Sequence, residues 1–100
     1  MAQNYFVYIL TNKKKKTLYI GISNNLQRRV FEHFEDSQNE QKTFAGKYHC
    51  VHLVYNESFS SPNEAIKRET ELKGWTRAKK NNLINSFNPD WKFLNDDFLN

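Results

Sequence analysis

Two tyrosines, an arginine, a histidine and a glutamate in this 100-residue chain have types and spacing that could do chemistry together. Tyr8 lies in "YFVYIL" and Tyr19 in "TLYIGI", two β-rich runs on either side of "TNKKKK". Arg29 and His33 follow in "SNNLQRRVFEHF", and Glu69 stands in "NEAIKRETELKGW". Phenols and imidazoles move protons, a guanidinium binds phosphate, and a carboxylate holds a hard cation. If these groups converge, the inventory suits phosphodiester hydrolysis.

Convergence depends on the elements that carry them. The first two runs read as strands joined by a polar turn. Residues opposite one another in an antiparallel hairpin share a face, so a turn of even length puts Tyr8 and Tyr19 on one side. An odd turn would separate them. Cross-strand aromatic packing would account for the pair equally well. Gly21, on the face of Tyr19, leaves room for a close approach. Tyr5, Tyr48 and Tyr55 have no such neighbours and are assigned to packing.

Residues 23–34 open with cap residues and show helical spacing at Leu26, Val30 and Phe34. At about 100° per residue these three define the core stripe, with Arg29 and His33 on its shoulder one turn apart. Arg28 and Glu32 point to water. A lone histidine there is ordinarily a satisfied core-edge residue, and Arg29 stacked beside it weakens that reading. The next helical segment, 60–75, begins with serines and Pro62. Its stripe contains Ala65, Ile66 and Leu72, and Glu69 falls in the middle of it with Lys73 one turn on. A buried carboxylate is costly unless it is paired, protonated or metal-bound. An ion pair of Glu69 with Lys73 is the plain alternative to a metal ligand.

The remaining segments supply a frame. Residues 35–47 are polar and patternless, a loop. "YHCVHLVYN" (48–56) reads as a third strand, apolar on both faces and therefore central or covered. Gly74 breaks the second helix, and Thr76 caps a third that runs to about Phe87. Trp91, Phe93 and Leu94 dock the tail. The order β-β-α-β-α-α predicts an α+β domain with a small, mostly antiparallel three-stranded sheet flanked by helices. Residues 1–100 are expected to form one domain, with a core of about 4–88 and a docked tail, 89–100.

Composition narrows the class. Hydrophobic residues at 38% and aromatics at 15% exclude a disordered chain. Cys50 is the single cysteine, which excludes an internal disulfide and points to a reducing compartment. The N-terminus has neither a basic leader region nor a long apolar run, so a cytoplasmic protein with no membrane partner is expected. A net charge of +4 suits a phosphate-bearing partner. Lys13 to Lys16 form one basic run, and Lys67, Arg68, Lys73, Arg77, Lys79 and Lys80 crowd another. A solvated face explains both about as well.

From Tyr5 to about Asn88 these residues resemble the GIY-YIG nuclease superfamily. "FVYIL" stands at the first motif with Tyr8 as its tyrosine, and "LYIGIS" at the second with Tyr19 and Gly21. Arg29 and His33 match the family's helical arginine and a common histidine. Glu69 matches its metal-binding glutamate, and Asn88 its downstream polar residue. Phe6 and Val7 replace the glycine and isoleucine of the first motif, as in small stand-alone members.

The resemblance implies a single divalent cation, Mg²⁺ or Mn²⁺, held by Glu69, and in-line attack by water. Arg29 would stabilise the phosphate. Proton transfer falls to Tyr8, Tyr19 or His33, undivided among them, and Lys73 would tune local charge or partner Glu69. The expected partner is DNA, with RNA open, contacted through Lys73, Arg77, Lys79, Lys80 and Asn88. Target preference would come from DNA shape, a homodimer or a protein partner. The favoured reading is a metal-dependent DNA endonuclease, structure-selective or repair-related. The alternative is a catalytically weak nucleic-acid-binding module, and a structural or protein-interaction domain ranks last.

Overall fold

The computed structural model describes residues 4–38 and 48–95. Its elements are β1 (Tyr5–Thr11), β2 (Leu18–Ser23), α1 (Leu26–Gln38), β3 (His52–Phe59), α2 (Pro62–Lys73) and α3 (Arg77–Phe87). The three strands form one antiparallel sheet in the order β2-β1-β3. This is the small α+β architecture expected, with β1 at its centre.

Thr11 pairs with Leu18, so the turn spans residues 12–17 and has even length. Asn12 builds it: its side chain accepts hydrogen bonds from the backbone N–H groups of Lys16 at 2.8 Å and Thr17 at 3.3 Å. Lys15 takes the left-handed backbone conformation, with φ of 60°. The pairing puts Tyr8 opposite Gly21 and Leu10 opposite Tyr19, so Tyr8, Tyr19 and Gly21 share a face.

Alternation along β1 divides the interior into two layers. Tyr8 and Leu10 pack with Leu26 and Val30 of α1, and with Leu53 and Cys50. Val7 and Ile9 face the other way, onto Ile20, Ala65 and Leu72 of α2, and Ile84 of α3. A register shift between Ile9 and Leu10 lets Val54 and Tyr55 both join this second layer.

Asn25 caps α1, its side chain accepting from the N–H of Arg28 at 3.1 Å, and Thr76 caps α3 by accepting from Lys79 at 3.2 Å. Pro62 occupies the first turn of α2.

Four local expectations change. Helix α1 runs to Gln38, beyond the loop start at 35, and residues 39–47 of that loop lie outside the described residues. Its buried residues are Leu26, Val30, His33 and Ser37, and Phe34 is 45% exposed. The stripe is thus rotated toward His33, because the layer beneath α1 receives the imidazole where an apolar ring was expected. In α2 the stripe is Ala65 and Leu72, and Ile66 is exposed, so Glu69 lies at its shoulder. Strand β3 starts at His52 and lies at a sheet edge. Its outer edge is covered: Leu94 N–H donates to the Leu53 carbonyl, Leu53 N–H to the Asn95 side chain, and the Asn95 amide to the Val51 carbonyl.

Candidate active site

On the α1 side of the sheet, the rings of Tyr8, Tyr19 and His33 form a triangle. Centroid separations are 6.4 Å for the two tyrosines, 5.9 Å for Tyr8 and His33, and 5.0 Å for Tyr19 and His33. The Tyr8 hydroxyl lies 2.9 Å from His33 Nε2. Both partners are buried, His33 being 2% exposed, while Tyr19 is half-buried. Gly21 makes the arrangement sterically possible. A Cβ there would fall 2.9 Å from Tyr8 Cε2 and closer still to the ring carbon and hydroxyl beyond it.

Electrostatics set the resting state of this pair. Burial raises the Tyr8 phenol well above its usual range, the charge of Tyr19 adds to this, Arg29 opposes it, and Glu69 raises it further. Burial lowers His33 to about 4, helped by the positive charge of Arg29 and opposed by Asp36 and Glu32. At neutral pH both are therefore uncharged. In the tautomer with a free Nε2, the phenol donates its proton to the imidazole.

Arg29 is one turn before His33, and its side chain is 36% exposed. Burial works against its charge, but the Glu32 hydrogen bond and the proximity of Tyr8 raise its pKa further. Its Nη1 donates to Glu32 Oε2 at 2.9 Å, while Arg28 Nε lies 3.2 Å from Glu32 Oε1. The sequence placed Glu32 in solvent, where it is, but did not reveal this bridging role. Its position three residues after Arg29 and four after Arg28 is the signal that was available.

Glu69 arrives from the opposite layer, on α2, so any convergence of the five groups draws on both faces of the sheet. Its charge still reaches Tyr8. The side chain is 17% exposed, and Lys73 Nζ lies 3.5 Å from Oε2. Among the described residues no group of three or more His, Cys, Asp or Glu side chains could hold a metal. A single carboxylate suits Mg²⁺ or Mn²⁺ all the same, because such ions keep several waters and take other ligands from substrate phosphates. The donor set fits.

The remaining candidates lie elsewhere. Arg77 donates to the Lys15 and Lys16 carbonyls and to Asn81, tying α3 to the hairpin turn. Lys79 Nζ sits 5.6 Å from the centroid of the Trp75 ring. Asn88 does not fit a nucleic-acid contact. It is 6% exposed, and its amide donates to the Val54 and Lys92 carbonyls while accepting from Lys92 N–H. An amide so engaged closes the end of α3 onto β3, which is a structural duty. Arg68 is likewise committed, to Glu57 and Glu71, and the Tyr55 hydroxyl donates to Glu57.

A three-stranded antiparallel sheet with helices on both sides is the fold that the GIY-YIG resemblance implied. A family model described as the GIY-YIG catalytic domain matches residues 4–82, and the chain belongs to that family. The match implies nuclease chemistry. Among similar proteins, a UPF0213 protein of Natronomonas pharaonis is 40% identical over 84 residues, covering 84% of this chain and 94% of its own length. A UPF0213 protein of Staphylococcus aureus is 36% identical over 81 residues, covering 81% and 94%. The solution NMR structure of a UPF0213 protein of Bacillus halodurans aligns with a TM-score of 0.56 and 26% identity, over 97% of this chain and 99% of that one. No helix among the described residues is long and apolar enough to cross a membrane.

Proposed function

We propose that this protein is a divalent-metal-dependent endonuclease that hydrolyses phosphodiester bonds in DNA. The reading rests above all on the buried hydrogen bond from Tyr8 to His33, set within charge range of both Arg29 and Glu69.

The groups fall into an outer and an inner set. Arg29, partly exposed, binds a phosphate oxygen and offsets the charge that builds there as water attacks. Tyr19 is the half-buried phenol of the ring triangle and orients the attacking water. Behind it, Tyr8 and His33 form a relay: a proton accepted at the Tyr8 oxygen displaces the phenolic proton onto His33 Nε2. Because His33 is buried, it acts through Tyr8 and is a positioning residue. Glu69 holds the cation, which supplies Lewis acidity when bound. Lys73 neutralises Glu69 in its absence. Lys79 and Lys80, on α3 and away from the ring triangle, contribute further phosphate contacts along the DNA.

Selection of branched or damaged DNA would follow duplex shape, pairing of two copies or a partner protein. A repair role in the cytoplasm is the corresponding biological setting. Plain, flapped and branched DNA incubated with Mg²⁺ or Mn²⁺ tests the proposal. It expects cleavage that stops with chelator and differs among the three substrates. Metal-independent cleavage, or none with any substrate, contradicts it. The burial of Tyr8 favours one second reading, a nucleic-acid-binding module of the same fold with weak catalysis. That reading expects salt-dependent binding unaffected by chelator and no product.

A further inference from the structure

The site contains an anion of its own. Glu32 spans two arginines, with Oε2 2.9 Å from Arg29 Nη1 and Oε1 3.2 Å from Arg28 Nε. A carboxylate and a phosphate compete for a guanidinium, because both offer oxygens matched to the same planar N–H fork. From this geometry we propose that Glu32 is a resident substitute for the substrate phosphate. Its carboxylate occupies Arg29 until a nucleic-acid phosphate exchanges with it, after which Arg28 retains it. The inference rests on the phosphate role of Arg29 proposed above.

Three observations favour exchange over a purely structural pair. Glu32 is 44% exposed and Arg29 36%, so the contact opens directly to solvent, where ion pairs are weak and easily replaced. The second oxygen already sits on Arg28, which is 61% exposed, so the departing carboxylate keeps a cationic partner. Arg29 sits beside Tyr8 and His33, so the anion on Glu32's side of it is at the catalytic groups. Arg28 gains a role as the alternative partner. The exchange makes Glu32 a threshold: an isolated anion must displace it unaided, whereas a polyanion anchored through its other phosphates does so readily.

A double-mutant cycle tests this without cleavage. Affinity for a short labelled DNA is measured by fluorescence anisotropy, at fixed low salt and without divalent cation. The proteins are the wild type, Glu32→Gln, Arg29→Ala and the double variant, with Glu35→Gln as the same charge change on α1. Arg29→Gln replaces Arg29→Ala should the latter fold poorly. The proposal expects Glu32→Gln to tighten binding about two- to fivefold more than Glu35→Gln. In the absence of Arg29 this excess vanishes. An excess that persists without Arg29, or looser binding by Glu32→Gln, overturns the exchange while leaving the role of Arg29 intact. If Arg29→Ala alone leaves binding unchanged, the phosphate role itself is contradicted and the exchange with it.

Discussion

Tyr8 shows how much of the site depends on single side chains. It lies across Gly21, touches the edge of His33 and feels both Arg29 and Glu69. Gly21→Ala is expected to push the phenol off its imidazole partner, costing about 1–3 kcal/mol of stability as an overpacked core does. Activity should fall further than stability alone explains. Urea denaturation and initial cleavage rates measured on the same preparation check this. His33 yields a second prediction. Its folded pKa, about 4, lies below the usual 6.5. The unfolded chain therefore binds the extra proton first, and stability falls as pH drops from about 6.5 toward 4. The loss is on the order of 2–3 kcal/mol for this group. The urea midpoint should shift down over that interval in the wild type and much less in His33→Gln. A flat wild-type profile would contradict the buried neutral imidazole. Residue types and spacing made these groups legible in the sequence. The Tyr8–His33 bond and the Glu32 bridge were not, because each depends on rotamers and burial that no periodicity encodes.

At the scale of elements, the helices on opposite faces divide the work. Helix α1 brings Arg29 and His33 over one face of the sheet, and α2 brings Glu69 from the other. Hairpin length decided the first relation: six turn residues, organised by Asn12, place both tyrosines under α1. The parity condition was legible, but its outcome was not, since many residues tolerate a turn of either length. The helical wheel placed Arg29 on the shoulder of α1 correctly, yet set His33 there although it is buried, and misjudged Phe34 and Ile66. Amphipathic stripes are wider than the surface a small sheet can cover. On α2, Lys73 competes with any cation for Glu69 at 3.5 Å. Replacing Lys73 by Met should tighten Mn²⁺ binding to the protein alone by a few-fold, read by electron paramagnetic resonance. Unchanged or weaker binding would remove Lys73 as the resident counter-ion. Glu69→Gln in the same titration should abolish the site.

The whole molecule carries a formal charge of +4, spread unevenly. The lysines of the hairpin turn meet the start of α3 through Arg77, and Lys79 and Lys80 follow within one turn. This continuous basic margin has no counterpart in the sequence, where its halves are separated by sixty residues. DNA affinity should therefore fall with salt. Lys79→Glu combined with Lys80→Glu should flatten the log–log slope by about 2, roughly one unit per lost phosphate contact. An unchanged slope would move the interface elsewhere. Strand order, the edge position of β3 and the part of Asn95 were likewise invisible, although a covered strand and a docked Leu94 were expected. A strand apolar on both faces reads the same whether it is central or covered at an edge.

The most direct test of the whole account is single-turnover cleavage of one DNA substrate in Mn²⁺ by wild type, Arg29→Ala and Glu69→Gln, with folding verified by thermal denaturation. The account predicts measurable wild-type cleavage, a loss of about 10²–10³-fold in Arg29→Ala, as for removal of a transition-state charge donor, and none detectable in Glu69→Gln. Cleavage at the wild-type rate by folded Glu69→Gln would contradict it.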